Sequence, residues 1–293
     1  MAVTLASDAL CTLAQAKRAN RVSGNLYDDE LTELINIVTD RAKRVIGTGI
    51  AAANYREWYA GDQEATIILK HRPLIYVERV GYGQENGIEI QYTGSAIRAM
   101  VQVYEDGVRT VSTASDGTQT TTSSTFATSP TNSTMATTLT GLTDWTATAQ
   151  GDDARSYDLH PIGGRDAKTD AVMLTYPDQD AHEYRIEQGT GLLRFSTWPL
   201  SAYDELETLG APTGWQNILV EYRAGYETVP DDIVGVCVDT VATLFAQQTH
   251  DRSVASEGIG GYSVSNIDQM KLEEILRERL RSHTNLAVGG LTV

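Results

Sequence analysis

The chain has 293 residues, of which 41% are hydrophobic and 21% charged, and its formal net charge is −16. This length suits one large domain or two ordinary ones. So negative a chain is not expected to hold nucleic acid on a basic face, although DNA could still pass close by. No apolar run approaches the roughly 20 residues that span a bilayer, and the N-terminus lacks the positive segment of a secretory signal, so we expect neither.

The first region, residues 1–82, begins with a predicted short helix at Leu13 to Asn20. Asp28 is a candidate N-cap for a second helix, and Gly47 and Gly49 are expected to end it. The apolar residues of this second helix recur at three- and four-residue spacing: Leu31, Leu34, Ile35, Val38, Ala42, Val45 and Ile46.

Extended segments follow the second helix. Residues 54–59 and 66–70 are short strand-like runs around the glycine–aspartate pair at 61–62, a pattern that predicts a β-hairpin. Pro73 interrupts the pattern, and a further strand is predicted up to Val80.

The middle region, residues 83–212, contains no charged side chain from Gly117 to Leu142, where Thr and Ser dominate. Its flanks are well patterned, so we predict an inserted small α+β domain instead of a disordered linker. The Thr-rich part is expected to form a sheet edge and loops, with a poorly ordered tip near Ser123 to Pro130. The predicted elements are a hairpin at 97–111, a helix after Asn132, and strands at 145–148, 171–176, 183–188 and 192–196.

The third region starts with a strand at Trp215 to Tyr222, where apolar and polar residues alternate. Gly225 permits a backbone reversal, and Pro230 followed by two aspartates is typical of a helix start, here of a helix to residue 249. A glycine-rich linker at 256–265 leads to a last helix that carries Ile267, Met270, Ile275, Leu276 and Leu280 on one side. The tail from Ser282 to Val293 either inserts into a partner or frays.

Few residues suggest chemistry. Asp178, Asp180, His182 and Glu183 could bind a hard cation or divide acid and base roles, but acidic residues that follow a proline between strands are more often a solvated turn. Cys11 and Cys237 are expected to be two reduced, packed thiols in helical segments, which without further ligands make no metal site. No cofactor is predicted.

Several segments of the chain, taken in sequence order, resemble the head–tail connector (adaptor) proteins of tailed bacteriophages. They cover a little over half the chain and lie in the same order as in that family: the LAQAK start at 13–17, the helix at 28–46, YREWYAG at 55–61, the strand at 73–80, VEYRAGYETVPDDI at 220–233, and the Gly–Tyr–Ser linker at 256–265. The departure is the middle region, since minimal adaptors have only a short connection there and this chain has about 130 residues.

The resemblance implies an α+β fold: a helical connector core of about four helices with strands (residues 1–82 and 213–293), interrupted by the inserted domain. It implies a non-enzymatic virion protein that forms a ring of about twelve copies beneath the portal and contacts a neck or tail protein. Double-stranded DNA would pass through the lumen without being read. The expected portal or neighbour contacts are Tyr262, Ile275, Leu276, Leu280, Leu286, Val288 and Leu291.

Three alternatives remain open at this point. One is another neck or tail-completion ring protein, such as a stopper, which differs only in its partner. The second is a metal-dependent hydrolase built on Asp178, Asp180 and His182. The third makes the Thr-rich middle region a carbohydrate- or surface-binding module.

Overall fold

The computed structural model describes residues 3–47, 49–61, 66–151, 153–195, 214–248, 256–259, 262–265 and 269–283. Over these ranges the chain is an α+β protein, as predicted. Its α-helices are α1 (Leu13–Asn20), α2 (Asp28–Ile46), α3 (Asn132–Thr140), α4 (Asp231–Gln248) and α5 (Gln269–Arg279), with a 3₁₀ helix at Ser156–Asp158. None of the helices in this part of the chain combines the length and hydrophobicity needed to cross a membrane.

The strands form several antiparallel sheets. In chain order they are β1 (Ala53–Gly61), β2 (Thr66–Ile68), β3 (Leu74–Tyr82), β4 (Glu85–Tyr92), β5 (Arg98–Tyr104), β6 (Gly107–Thr113), β7 (Gln119–Thr125), β8 (Trp145–Ala149), β9 (Ile162–Asp166), β10 (Val172–Tyr176), β11 (Gln179–Asp180), β12 (Tyr184–Glu187), β13 (Leu192–Phe195), β14 (Gly214–Ala224), β15 (Ser256–Ile259) and β16 (Tyr262–Ser265). The sheet orders are β1-β14-β3-β11, β10-β4-β8, β12-β13-β2, β7-β6-β5-β9 and β15-β16.

Helices α1, α2, α4 and α5 share one hydrophobic core, which we call the helical core. The apolar stripe predicted for α2 is buried there, because a three- and four-residue spacing places these side chains on one face. Thr12 caps α1 through a capping box with Gln15. The prediction that Asp28 caps α2 is wrong in detail. Tyr27 occupies the N-cap without a side-chain bond, and Asp28 is the first helical residue, where its charge favours the helix end.

Strand β14 joins the first and third regions. It lies between β1 and β3, and Tyr222 is opposite Tyr55 on one side and Val77 on the other. The predicted strand at Trp215 to Tyr222 is therefore confirmed, and the structure pairs it with the strand that follows Pro73. The interior side chains of this sheet, with those of β2 and β13, form a second hydrophobic core.

The predicted hairpin around Gly61 is wrong. Strand β1 pairs with β14, and β2 pairs with β13 from the far end of the middle region. Two short runs beside a glycine predict a hairpin only when each lacks a better partner, and β14 offers β1 a long ladder of backbone hydrogen bonds. The segment 256–265 is likewise more than a linker, since β15 and β16 pair along it.

The middle region has a core of its own, built by sheets β7-β6-β5-β9 and β10-β4-β8 together with α3. Strand β7 is an edge strand, as the Thr-rich composition predicted. The expected disordered tip is wrong: Ser124 and Ser129 are buried, and Phe126 is 1% exposed within this core. One large aromatic side chain anchors the polar segment because its burial stabilises the surrounding backbone.

The boundary of the middle region is less simple than its composition suggests. Its own core draws on residues 88–174, whereas Leu193 and Phe195 of β13 pack with Ile67 and Leu69 of the first region. An inserted domain at 83–212 therefore stays a proposal.

The two cysteine side chains meet in the helical core. Cys11 lies just before α1, outside the helix predicted for it, and Cys237 lies in α4; both are free thiols and both are buried. Their Sγ atoms are 3.5 Å apart.

We predict that the centre of α2 dominates the stability of the helical core. Ile35 is fully buried, so Ile35→Ala should lower the free energy of unfolding by about 2–5 kcal/mol through lost burial and the cavity left behind. Ile37, two residues on, is 36% exposed, and Ile37→Ala should cost about 0.5 kcal/mol or less. Urea unfolding followed by helical circular dichroism measures both, and equal costs would contradict the placement of α2.

Candidate functional site

Three of the residues expected to contact a portal or neighbour lie in the C-terminal helix α5 or directly after it. Leu276 and Leu280 are buried in the helical core, with exposures of 0% and 1%. Within this chain they pack on the other helices of that core. Their contact with a portal or a neighbouring subunit stays a prediction. Ile275 is half-buried.

The other expected contacts remain predictions. Tyr262 begins β16, but its side chain lies outside the described part of the chain. Leu286, Val288 and Leu291 lie outside the described residues altogether.

The end of α5 is tied to the start of α4 by three side chains that we call the C-terminal clamp: Tyr226, Asp232 and His283. The Nε2 atom of His283 lies 2.7 Å from Asp232 Oδ2, and its Nδ1 lies 3.2 Å from the Tyr226 hydroxyl. The hydrogen bond from His283 lowers the pKa of Asp232. A second ion pair joins the same helices, with Arg279 Nη2 at 2.8 Å from Asp239 Oδ2.

The sequence alone does not reveal the clamp. The partners of His283 lie 57 and 51 residues earlier in the chain, so no local spacing could reveal them. Its position has a consequence for function: residues 284–293 follow directly from a side chain that is held beside the Gly225 turn and the first turn of α4.

A second polar group, the tyrosine–glutamate cluster, lies where β1 meets β14. The Oε2 atom of Glu57 accepts hydrogen bonds from the hydroxyls of Tyr59 at 2.5 Å and Tyr222 at 2.6 Å, and His71 Nε2 lies 3.5 Å from Oε1. Glu57 and Tyr59 share a face of β1 because side chains two residues apart point the same way. The cluster thus joins residues from the first and third regions.

Glu57 stays ionised although its side chain is largely buried. Burial alone would raise the pKa of Glu57, but hydrogen bonds from His71, Tyr222 and Tyr59 and the charge of Lys70 outweigh it and bring the pKa to about 2. Burial and the bond to Glu57 raise the pKa of both Tyr59 and Tyr222, so these hydroxyls stay neutral donors. A carboxylate whose donors come from its own chain is better suited to holding strands together than to moving protons.

A third polar group attaches the middle region to the central sheet, and we call it the arginine–carboxylate cluster. Asp158, in the 3₁₀ helix, has a side chain only 6% exposed and lies 2.8 Å from Arg79 Nη1 and 3.1 Å from Arg155 Nη2. Arg155 also reaches Glu221 of β14 at 3.0 Å. Arg56 of β1 lies 3.7 Å from Asp158 and 3.8 Å from Glu221. Three guanidinium groups and two carboxylates therefore bridge β1, β3, β14 and the middle region.

The suspected acid–base constellation does not assemble. Asp180 lies on β11 opposite Gly81, and its Oδ1 accepts a hydrogen bond from Arg79 Nε at 2.7 Å. Asp178 lies against Gly83, while His182 is exposed. Among the described residues, no three or more His, Cys, Asp or Glu side chains are placed to hold a metal ion. The metal-site interpretation of Asp178, Asp180 and His182 was therefore wrong, because β11 pairing and Arg79 direct these side chains apart.

The chain has similarity to known proteins only at the level of solved structures. No protein-family model matches the chain, and no curated protein matches it. Among solved structures it is similar to a chain described as "Virion of native gene transfer agent (GTA) particle", at 12% identity and a TM-score of 0.38, over 95% of this chain and 93% of that one. A chain described as "Neck of empty GTA particle computed with C6 symmetry" is similar at 11% identity and a TM-score of 0.35, over 94% of each. Because both TM-scores lie below 0.5, neither similarity carries an inference about this chain.

The tyrosine–glutamate cluster should make stability depend on acid. Because the pKa of Glu57 is about 2 in the folded chain and about 4.3 in the unfolded chain, its contribution is full above pH 4.3 and is lost as pH falls toward 2. Glu57→Gln should remove about 3 kcal/mol at neutral pH and flatten this part of the pH–stability curve. Urea unfolding from pH 7 to pH 2 tests this. Glu78→Gln, at an exposed position on β3, is the control and should keep the wild-type slope.

The arginine–carboxylate cluster predicts unequal costs for two aspartates that share Arg79. Asp158→Ala removes a buried partner from Arg56, Arg79 and Arg155, and should cost about 3 kcal/mol because buried guanidinium charge is left poorly paired. Asp180→Ala removes a carboxylate that is 45% exposed and should cost less than about 1 kcal/mol. Thermal unfolding of both variants measures these two costs. A larger loss of stability for Asp180→Ala than for Asp158→Ala would contradict the central role given to Asp158.

Proposed function

We propose that this protein is a structural ring subunit at the head–tail junction of a tailed phage or phage-like particle. In this proposal a ring of about twelve copies sits beneath the portal and receives a neck or tail protein on its other side. Double-stranded DNA crosses the lumen without sequence-specific contacts. The role is one of assembly and involves no catalysis.

The observation that carries the proposal is the convergence of the segments that resemble connector proteins. Those at 13–17 and 28–46 lie on α1 and α2, and these helices share the helical core with α4 and α5. Those at 55–61, 73–80 and 220–224 lie on the adjacent strands β1, β3 and β14. Segments separated by the whole middle region therefore share a helical core and a sheet, which supports the proposal that the connector core continues on either side of that region.

Two further features agree with the proposal. The formal net charge of −16 suits a subunit that surrounds DNA without retaining it, since an acidic surface repels phosphate groups. The C-terminal clamp holds His283 at a defined place on the helical core, so the ten residues that follow, five of them apolar and two of them glycine, start from a fixed anchor. A fixed anchor lowers the entropic cost of placing a short segment in a partner.

The experiment is decoration of purified portal rings, viewed by negative-stain electron microscopy. The full chain should add a ring of density to one end of the portal. A chain that ends at His283, and one with Leu286, Val288 and Leu291 all changed to Ser, should fold but fail to decorate.

The matched control is Leu26→Ser, which removes an equally apolar side chain that is 84% exposed. Tyr27, beside it, contacts Phe245 near the far end of α4, about 20 Å from the clamp at a rise of 1.5 Å per residue. This variant should decorate like the wild type. If the full chain leaves bare portals undecorated, the adaptor role is wrong. Binding only to portals that already carry an adaptor would identify a stopper-like subunit instead.

A further inference from the structure

A cleft of about 450 Å³ opens at one end of the middle-region core. One wall is the inner face of β6 and β7, and the other is formed by Tyr92 with the segment from Gly141 to Trp145. Pockets that hold small molecules have volumes of about 300–1,000 Å³, so this cleft is large enough for one. We call it the hydroxyl cleft.

Two cross-strand pairs of hydroxyl side chains line the first wall. Thr110 lies opposite Thr122, and Ser112 lies opposite Thr120. Val108, two residues before Thr110 on the same face of β6, belongs to the hydrophobic core. Because side chains on one face of a strand recur every two residues, this inner face changes from apolar to hydroxyl-bearing where the cleft begins.

These hydroxyls differ from those in the rest of the Thr-rich region. In α3 and the turn before it, side-chain hydroxyls bond to backbone carbonyls, as seen for Thr128, Thr134, Thr137, Thr138 and Thr140. Within the described ranges the hydroxyls of Thr110, Ser112, Thr120 and Thr122 make no hydrogen bond; Thr120 is exposed, and Ser112 and Thr122 are half-buried. Hydroxyls that line a cleft without protein partners are free to bond to water or to a ligand.

The opposite wall offers the edges of two largely buried aromatic rings, each 6% exposed, and one carboxylate. Trp145 and Tyr92 are cross-strand partners whose rings lie 5.1 Å apart, edge to face. Asp144 precedes Trp145 with a left-handed backbone (φ 65°), and its Oδ2 accepts a hydrogen bond from the Tyr92 hydroxyl at 3.3 Å. Among the residues that line the cleft in the described part of the chain, Asp144 carries the one formal charge.

We propose that the hydroxyl cleft binds a neutral carbohydrate, in the size range of a monosaccharide to a disaccharide. A sugar presents alternating donors and acceptors on one side and C–H groups on the other, which complements paired hydroxyls facing aromatic edges. Asp144 accepts hydrogen bonds from sugar hydroxyls and repels anions, so uronic acids and phosphorylated sugars are disfavoured. This activity lies outside the helical core and is independent of the proposed ring role.

Saturation-transfer NMR on the full-length protein tests the proposal. The probes are glucose, galactose, N-acetylglucosamine, cellobiose, lactose and chitobiose, with glucuronic acid as the anionic comparison. At least one neutral sugar should show transfer and glucuronic acid should not. Thr110→Val and Thr122→Val, which keep side-chain shape but remove the hydroxyl, should each weaken binding about 3- to 10-fold.

The control is Thr121→Val, which removes a hydroxyl from the opposite, exposed face of the same strand and should bind like the wild type. Asp144→Asn keeps a residue type that tolerates a left-handed backbone, so it should fold even if a core variant does not, and it should bind more weakly. The proposal is overturned if no neutral sugar shows transfer, or if Thr121→Val weakens binding as much as Thr110→Val. It is equally overturned if glucuronic acid binds as well as the neutral sugars.

Discussion

The pairing of β14 between β1 and β3 is the constraint on which the rest of this structure depends. It joins residues more than 130 positions apart, so the loop entropy lost in forming it must be offset by what the sheet gains. Part of that gain is burial of Ile218, Val220 and Tyr222. Part is the bond from the Tyr222 hydroxyl to Glu57, which can form only when both strands are in register. Once β14 is placed, Gly225 turns the chain back and α4 follows onto the helical core.

Three polar clusters stabilise three different places in the fold. The tyrosine–glutamate cluster lies within the central sheet, the arginine–carboxylate cluster joins that sheet to the middle region, and the C-terminal clamp joins α5 to α4. The first two place charge where solvent is largely excluded, so each is stabilising only while all its partners are present. The clamp is more open, since the Asp232 side chain is 64% exposed. For a proposed ring subunit, such junctions would fix the middle region relative to the helical core without a continuous hydrophobic interface.

The middle region shows how composition can mislead while local pattern does not. The uncharged Thr and Ser run resembles a disordered linker, yet alternation on the neighbouring strand predicted a sheet, and the sheet is present. Phe126 explains the ordered tip, but a single aromatic residue in a polar stretch gives too weak a signal to predict burial. The sequence left a carbohydrate- or surface-binding module open for this region but could not locate a cleft, because the wall formed by β6 and β7 faces Tyr92 and residues 141–145 only after folding.

From the sequence alone, the helices α1, α2 and α4, most strands and the α+β class followed, because hydrophobic period, caps and glycine turns act over a few residues. Strand partners did not follow. The hairpin expected at Gly61 is absent because β1 and β2 each pair with a strand far along the chain. The burial of Leu276 and Leu280 in the helical core was likewise not predicted. The acidic group at Asp178, Asp180 and His182 was separated by a pairing that no local spacing encodes. The clamp at His283 and the bonds at Glu57 also depended on the fold, since only tertiary structure decides which distant side chains share a buried environment.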